Sequence, residues 1–275
     1  MTGTMSSSTA QGDWRSTLGR FGLSAKGILY LALGVLAINF ATGQASQQVS
    51  ERGAIELVAS QPLGRWLLGV LTAGLFALMV WEFVRAATGD PVEGSEASDR
   101  AKFAVKGVLY AATASTALTV LIANWGGGGT GGGGGGGGSQ QATATVMEWP
   151  GGPWIVAAIG IGVMIFGLMQ INKHGRKAEF MQRLARSQMD DRVETGAKRS
   201  GQAGYTARGI VAILVGFFFV VAALQHDPQE AKGLSGALKT LAEQTWGQAV
   251  LWAVAVGLFL YGLFTFAEAR YRRAT

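Results

Sequence analysis

The chain has 275 residues, 49% of them apolar and only 15% charged, with a formal net charge of +6. That balance suits a bilayer-embedded chain better than a soluble domain of this length. Cysteine is absent, which excludes disulfides, thiolate metal sites and cysteine nucleophiles.

Residues 1–17 are rich in Ser, Thr and Gly and read as a flexible tail. From 21 to 41 only Ser24, Lys26 and Asn39 are clearly polar. At 1.5 Å per residue that run reaches roughly 30 Å, the hydrocarbon thickness of a bilayer. A cleaved signal peptide is the competing reading, with Arg15, Arg20 and Lys26 as its basic flank and Gly43-Gln44-Ala45 as its cleavage site. Further apolar runs cover 66–87, 103–125, 154–171, 205–224 and 249–266. In lipid, backbone hydrogen bonding requires such spans to be helical.

The spans are copies of a pair. Ala25-Lys26-Gly27-Ile28-Leu29-Tyr30 returns as Val105-Lys106-Gly107-Val108-Leu109-Tyr110 and as Ala207-Arg208-Gly209-Ile210-Val211-Ala212. The even spans open at Gly64, Gly152 and Gly247, each followed by a second matching glycine, Gly74, Gly162 and Gly257. Removing the first span would therefore leave half a repeat, which argues against the signal peptide. The expected fold is all-α and integral to the membrane, with six transmembrane helices in three tandem hairpin repeats around a pseudo-threefold axis. Its parts are a tail (1–17), repeat one (18–90), repeat two (98–173), a basic connector (174–199) and repeat three (200–275). Repeat two carries a glycine-rich outer loop, 126–138, that reads as a linker: it lacks the Gly-Lys-Ser/Thr ending of a phosphate-binding loop. In the matching outer connectors, Ala54, Leu57 and Val58, and Leu234, Ala237, Leu238 and Leu241, recur near helical spacing and predict short helices.

A basic chain could suggest nucleic acid, but the placement of the cations answers a question of topology and implies no nucleic-acid partner. With the tail, the second and fourth connectors and the C-terminus on one side, the other side keeps only Arg52, Arg65, Lys232 and Lys239. The positive-inside rule then puts both termini in the cytoplasm. The 173–208 stretch is densely basic around Phe180, Met181 and Leu184, and reads either as a surface helix on anionic headgroups or as a topology tether. His174 and His226 fall in polar connectors, where a solvated ring is the ordinary outcome.

The Lys/Arg-Gly openings, the glycine-led second helices and the threefold six-span plan resemble a bacterial membrane-protein family catalogued as domain of unknown function 1206. The resemblance runs from about Gly19 to Arg270 and implies three tandem two-helix domains in a bacterial inner membrane. It brings no catalytic or binding residues.

Lys26, Lys106 and Arg208 occupy one position in three copies. They either snorkel to lipid phosphates or ring a shared anion-favouring cavity. A second polar set, Glu82, Gln170 and Thr265, is matched by counting from the opening glycines. Glu82 has two candidate partners, Lys26 across the first hairpin and Arg85 at i,i+3. Glu268 and Arg272 are spaced for an interfacial i,i+4 ion pair without further role. No metal set and no nucleophile with a neighbouring base is legible, so neither cofactor nor enzymatic activity is expected. The expected function is a non-enzymatic module of the inner membrane that binds lipid or a membrane partner, or a second copy of itself. The alternative is a channel or carrier for a small anion that uses the three cations.

Overall fold

The computed structural model describes residues 6–44, 48–90, 93–125 and 137–272, and among them all the regular structure is helical, without a β-strand. In chain order the helices are α1 (Ser6–Ala41), α2 (Glu51–Ala59), α3 (Gly64–Thr88), α4 (Ala97–Trp125), α5 (Gly137–Met147), α6 (Gly152–Gln170), α7 (Asp191–Gln225), α8 (Leu234–Ala242) and α9 (Gly247–Tyr271). Six of them, α1, α3, α4, α6, α7 and α9, are long and apolar enough to cross a membrane. The tail expected over 1–17 is helical from Ser6 onward, so α1 starts well before its apolar run. Most of the 126–138 linker lies outside the described residues, and its last part opens α5. The short outer helices fall where the sequence places them, and they bury Ala54 and Val58 on α2 and Ala237, Leu238 and Leu241 on α8.

Sequence-adjacent spans that touch are antiparallel. Gly74 closes on Ala25, Gly107 on Phe83, Gly167 on Gly209, and Gly257 on Ala207. The basic ends of the six spans therefore share one side of the molecule.

The threefold plan is clearest between repeats. A Cβ on Gly27 would come within 2.9 Å of Phe266, one on Gly107 within 3.0 Å of Phe83, and one on Gly209 within 2.5 Å of Ile171. Phe83, Ile171 and Phe266 stand at equal distances from the glycines that open α3, α6 and α9. Each repeat thus offers its Lys/Arg-Gly glycine as a socket for a side chain from the even helix of another. Small residues at such sites let helix backbones approach closely in lipid, where packing replaces the hydrophobic effect as the cohesive force. α1 with α9, α6 with α7 and α3 with α4 form the most extensive helix pairs.

Within repeats the symmetry is broken at one place. In the first repeat a Cβ on Gly74 would lie 2.4 Å from the Ala25 methyl, and in the third a Cβ on Gly257 would lie 2.4 Å from the Ala207 methyl. In the second repeat Gly162 has nothing within 4 Å and its counterpart Val105 is exposed. α4 and α6 make no extended contact, and they are the least buried of the spans. The physical reason is visible in the residue facing the glycine. Alanine fits the socket at positions 25 and 207, whereas the branched Val105 fills the space the approaching helix needs. The six spans accordingly form a ring that is open between α4 and α6.

Candidate functional site

Lys26 of α1 and Arg208 of α7 converge on the middle of the open ring. The Lys26 ammonium stands 5.4 Å from the ring centre of Tyr261 on α9 and 5.8 Å from that of Tyr110 on α4. Arg208 donates a hydrogen bond from Nη1 to the Tyr261 hydroxyl at 2.7 Å. Its guanidinium lies 4.6 Å from the Tyr261 ring centre and 5.1 Å from that of Tyr30 on α1. Tyr261 is wholly buried and meets the edges of Tyr30 and Tyr205 at 4.7 and 5.2 Å. Lys26, Tyr30, Tyr110 and Arg208 are only half-buried, although three or more helices surround them. On the outer side, Glu51 at the start of α2 accepts a hydrogen bond from Thr113 of α4 at 2.7 Å. Neither Lys26 nor Arg208 forms an ion pair with any carboxylate among the described residues.

An unpaired Lys or Arg inside a transmembrane segment is costly, up to about 2.5–3.5 kcal/mol at the helix centre and less toward an end. A desolvated aromatic face returns about 2 kcal/mol. Tyrosine π-faces and one hydroxyl therefore hold these two cations, and no carboxylate among the described residues comes within salt-bridge distance of either.

Lys106 is not part of that centre, so the expected ring of three cations reduces to two. Its ammonium is drawn toward Glu93, 3.7 Å away, and lies 5.3 Å from the Phe103 ring centre. Glu93 belongs to an ion-paired layer across the basic end of the bundle. Arg85 contacts Glu82 at 3.0 Å and Asp90 at 2.7 Å, and its Nη2 lies 2.7 Å from Glu93, close but off the hydrogen-bond direction. Arg272 joins Glu93 at 2.8 Å to Glu268 at 3.0 Å, and Arg183 reaches both acids at 3.5 and 4.0 Å. Arg85 is stacked between the Trp81 and Phe103 rings at 4.5 and 3.9 Å. Burial opposes the ionisation of Glu93, but Arg183, Arg85, Lys106 and Arg272 outweigh it and hold its carboxyl well below the usual range. Four acids meet four bases here, so the layer is close to neutral.

The second polar set divides in the same way. Glu82 takes the Arg85 partner rather than Lys26. The cause is reach: Arg85 is one turn away on the same helix, while Lys26 turns toward Tyr110 and Tyr261. Thr265 is fully buried and returns its hydroxyl to the Tyr261 carbonyl at 2.8 Å. Gln170 is buried with Oε1 unpartnered. The three positions match in the repeat but share no contact. Glu268 and Arg272 do pair, buried inside the layer.

The first part of the basic connector, up to Gln188, is not a surface helix, whereas from Asp191 on the stretch is the largely exposed start of α7. After α6 the chain widens into a π-helical turn, Ile171–Arg176, then makes two short 3₁₀ turns that bury Phe180, Met181 and Leu184. Phe180 stacks on Tyr205 at 5.2 Å and meets Phe264 edge-on at 4.7 Å, and the Ala185 amide donates to the Tyr271 carbonyl at 2.8 Å. Three large apolar side chains within five residues gain more from this core than from a headgroup layer. His174, expected to be solvated, packs against Tyr205 at 4.5 Å instead.

The sequence reading missed the tyrosines and the layer, though both leave signals. Tyr30 and Tyr110 each stand four residues after the repeated lysine, one turn above it on the same face. Glu82, Asp90, Glu93 and Glu268 are acids on the side where basic residues prevail.

Comparison with known proteins agrees with this architecture. The family described as Domain of Unknown Function (DUF1206) matches the chain in three stretches, residues 21–89, 101–173 and 203–272. The chain belongs to this family. A DUF1206 repeat thus corresponds to one odd span, its outer connector and one even span. The chain is also similar to "Uncharacterized protein YxxB" of Bacillus subtilis (strain 168), 32% identical over 264 residues that cover 95% of this chain and 93% of that protein. No solved structure matches it.

Proposed function

We propose that this protein is a multi-pass membrane module that binds an anionic group between Lys26 and Arg208, without turnover. The observation that carries the reading is the pair of half-buried cations at the centre of the ring, neither with a carboxylate partner among the described residues. An anion there would satisfy both charges at once, and the two donors suit a group with several acceptor oxygens. The excess of Lys and Arg on one side supports a plasma-membrane orientation with both termini cytoplasmic.

The test is calorimetric titration of the purified protein, in uncharged detergent, with inorganic pyrophosphate. Binding is expected in the wild type and in Lys26→Arg, and is expected to weaken at least tenfold in Lys26→Gln and Arg208→Gln. Equal affinity in all four proteins would remove the proposal. The second reading, an anion conduit, has the residual exposure of Lys26, Tyr110 and Arg208 in its favour. The ion-paired layer and the Phe180 connector stand across its basic end, so a closed binding site accounts for more of the structure.

A further inference from the structure

Building on the anion-binding reading, we infer that the ligand is a membrane lipid with an anionic headgroup, which enters sideways through the opening between α4 and α6. Three observations converge. The opening sits at the depth of the cations: Val105 and Gly162, which would close it, stand at the positions of Ala25 with Gly74 and of Ala207 with Gly257, beside Lys26 and Arg208. The site lies directly behind it. Tyr110 of α4, on one flank, is under Lys26, and on the other flank α6 packs on Gly209, the neighbour of Arg208.

The flanking helices supply what an acyl chain requires. α4 exposes Val105, Val108 and Leu109, and α6 exposes Ile159, Ile165 and Phe166, with no charged side chain between Lys106 and Trp125 or between Gly152 and Gln170. A free anion crossing this wall would be stripped of water along an apolar path. A lipid would not, because its tails stay in hydrocarbon while only the headgroup turns inward.

Depth favours the same ligand. Lys26 lies about 7 Å along α1 from Phe21, where the apolar run begins, so a headgroup need move only one to two helical turns below the interface to reach it. From the basic side itself, the way is crossed by the layer of Arg85, Glu93, Glu268 and Arg272 and by Phe180. The side opening is the approach that leaves the ion pairs undisturbed. Alone among the repeats, the second lacks its internal helix contact, and this gives that departure from symmetry a use.

The experiment reads bound lipid and bound pyrophosphate on the same full-length proteins. Native mass spectrometry counts retention of phosphatidylglycerol against phosphatidylcholine, and calorimetry measures pyrophosphate. The wild type is expected to retain phosphatidylglycerol at least tenfold better than phosphatidylcholine, and Lys26→Gln with Arg208→Gln to lose that preference. Val105→Trp, which fills the opening, is expected to abolish lipid retention. Gly162→Leu serves as an independent closure should Val105→Trp fail to fold. If pyrophosphate binds through Lys26 and Arg208 but phosphatidylglycerol is not preferred, or its retention survives both closures, lateral lipid entry is overturned and the anion site stands. If neither ligand depends on the two cations, the anion site itself is wrong, and this inference falls with it.

Discussion

Gly74, Gly162 and Gly257 offer an internally controlled measurement of helix packing. All three sit at one position of the repeat, inside a long helix, and Gly→Ala adds the same methyl and the same helix propensity, about 1 kcal/mol, at each. Only the surroundings differ. At Gly74 and Gly257 the new methyl would lie 2.4 Å from the methyl of Ala25 or Ala207, and neither alanine has a rotamer with which to yield. The helices must separate, and overpacking of this kind costs about 1–3 kcal/mol. At Gly162 the methyl meets nothing within 4 Å. Because the propensity gain cancels in the comparison, Gly74→Ala and Gly257→Ala should each fall about 2 kcal/mol below Gly162→Ala, roughly 4–8 °C in melting temperature. Thermal unfolding of the three variants in one detergent, followed by circular dichroism, measures the difference directly. If Gly162→Ala loses as much as the other two, α4 and α6 are packed together and the open ring is wrong.

Glu93→Gln leaves Arg85, Arg183, Arg272 and Lys106 facing a neutral amide, and breaking a buried ion network in this way costs about 3–5 kcal/mol. The folded-state carboxyl of Glu93 is held well below its unfolded value near 4.3, so its contribution is complete above that pH, declines progressively below it and is gone only once pH falls through the folded-state value. The stability gap between wild type and Glu93→Gln, measured by thermal melts from pH 7 to pH 3, should accordingly narrow below about pH 4.3. Phe180→Ala empties a fully buried aromatic position and should lose about 3–5 kcal/mol. Trypsin sensitivity at Arg183 and Arg186 should rise with it, and unchanged cleavage would show that the connector is held by something other than this ring.

What could be read from the sequence, and what could not, follows from the range of the interactions. Span number, helical state and triplication rest on local hydropathy and on motifs recurring in one dimension, and Lys26-Gly27 with its two copies carried them. The short outer helices were legible for the same reason, since Ala54 and Val58 fall on one face. The partners of Lys26, Lys106 and Glu82 depend on which helices become neighbours across the ring, and no periodicity encodes that. Lys106 is matched to Lys26 in sequence, yet Glu93 lies beside only one of them. The fate of the 173–208 stretch was hidden by its charge. Its basic residues describe a surface, while Phe180 and Leu184, which decide where the segment goes, are few. The opening between α4 and α6 goes with two changes on α4: Val105 where the other copies have Ala25 and Ala207, and Lys102 where they have Gly22 and Gly204, the glycines that pack on Leu78 and Tyr261.

The pairing of α1 with α9 bears on how the protein is made. Their glycine sockets interlock at Gly27, Gly34 and Gly262, and Gln248 donates to the Ala41 carbonyl at 2.6 Å. At ribosomal speeds the segment between them takes roughly 10–50 s to emerge. Throughout that interval the notched flank of α1 is solvated by acyl chains, and the nascent bundle cannot lock until its most distant partner has been threaded into the bilayer. The α1–α9 interface, the most extensive in the bundle, can therefore close only after α9 has been made.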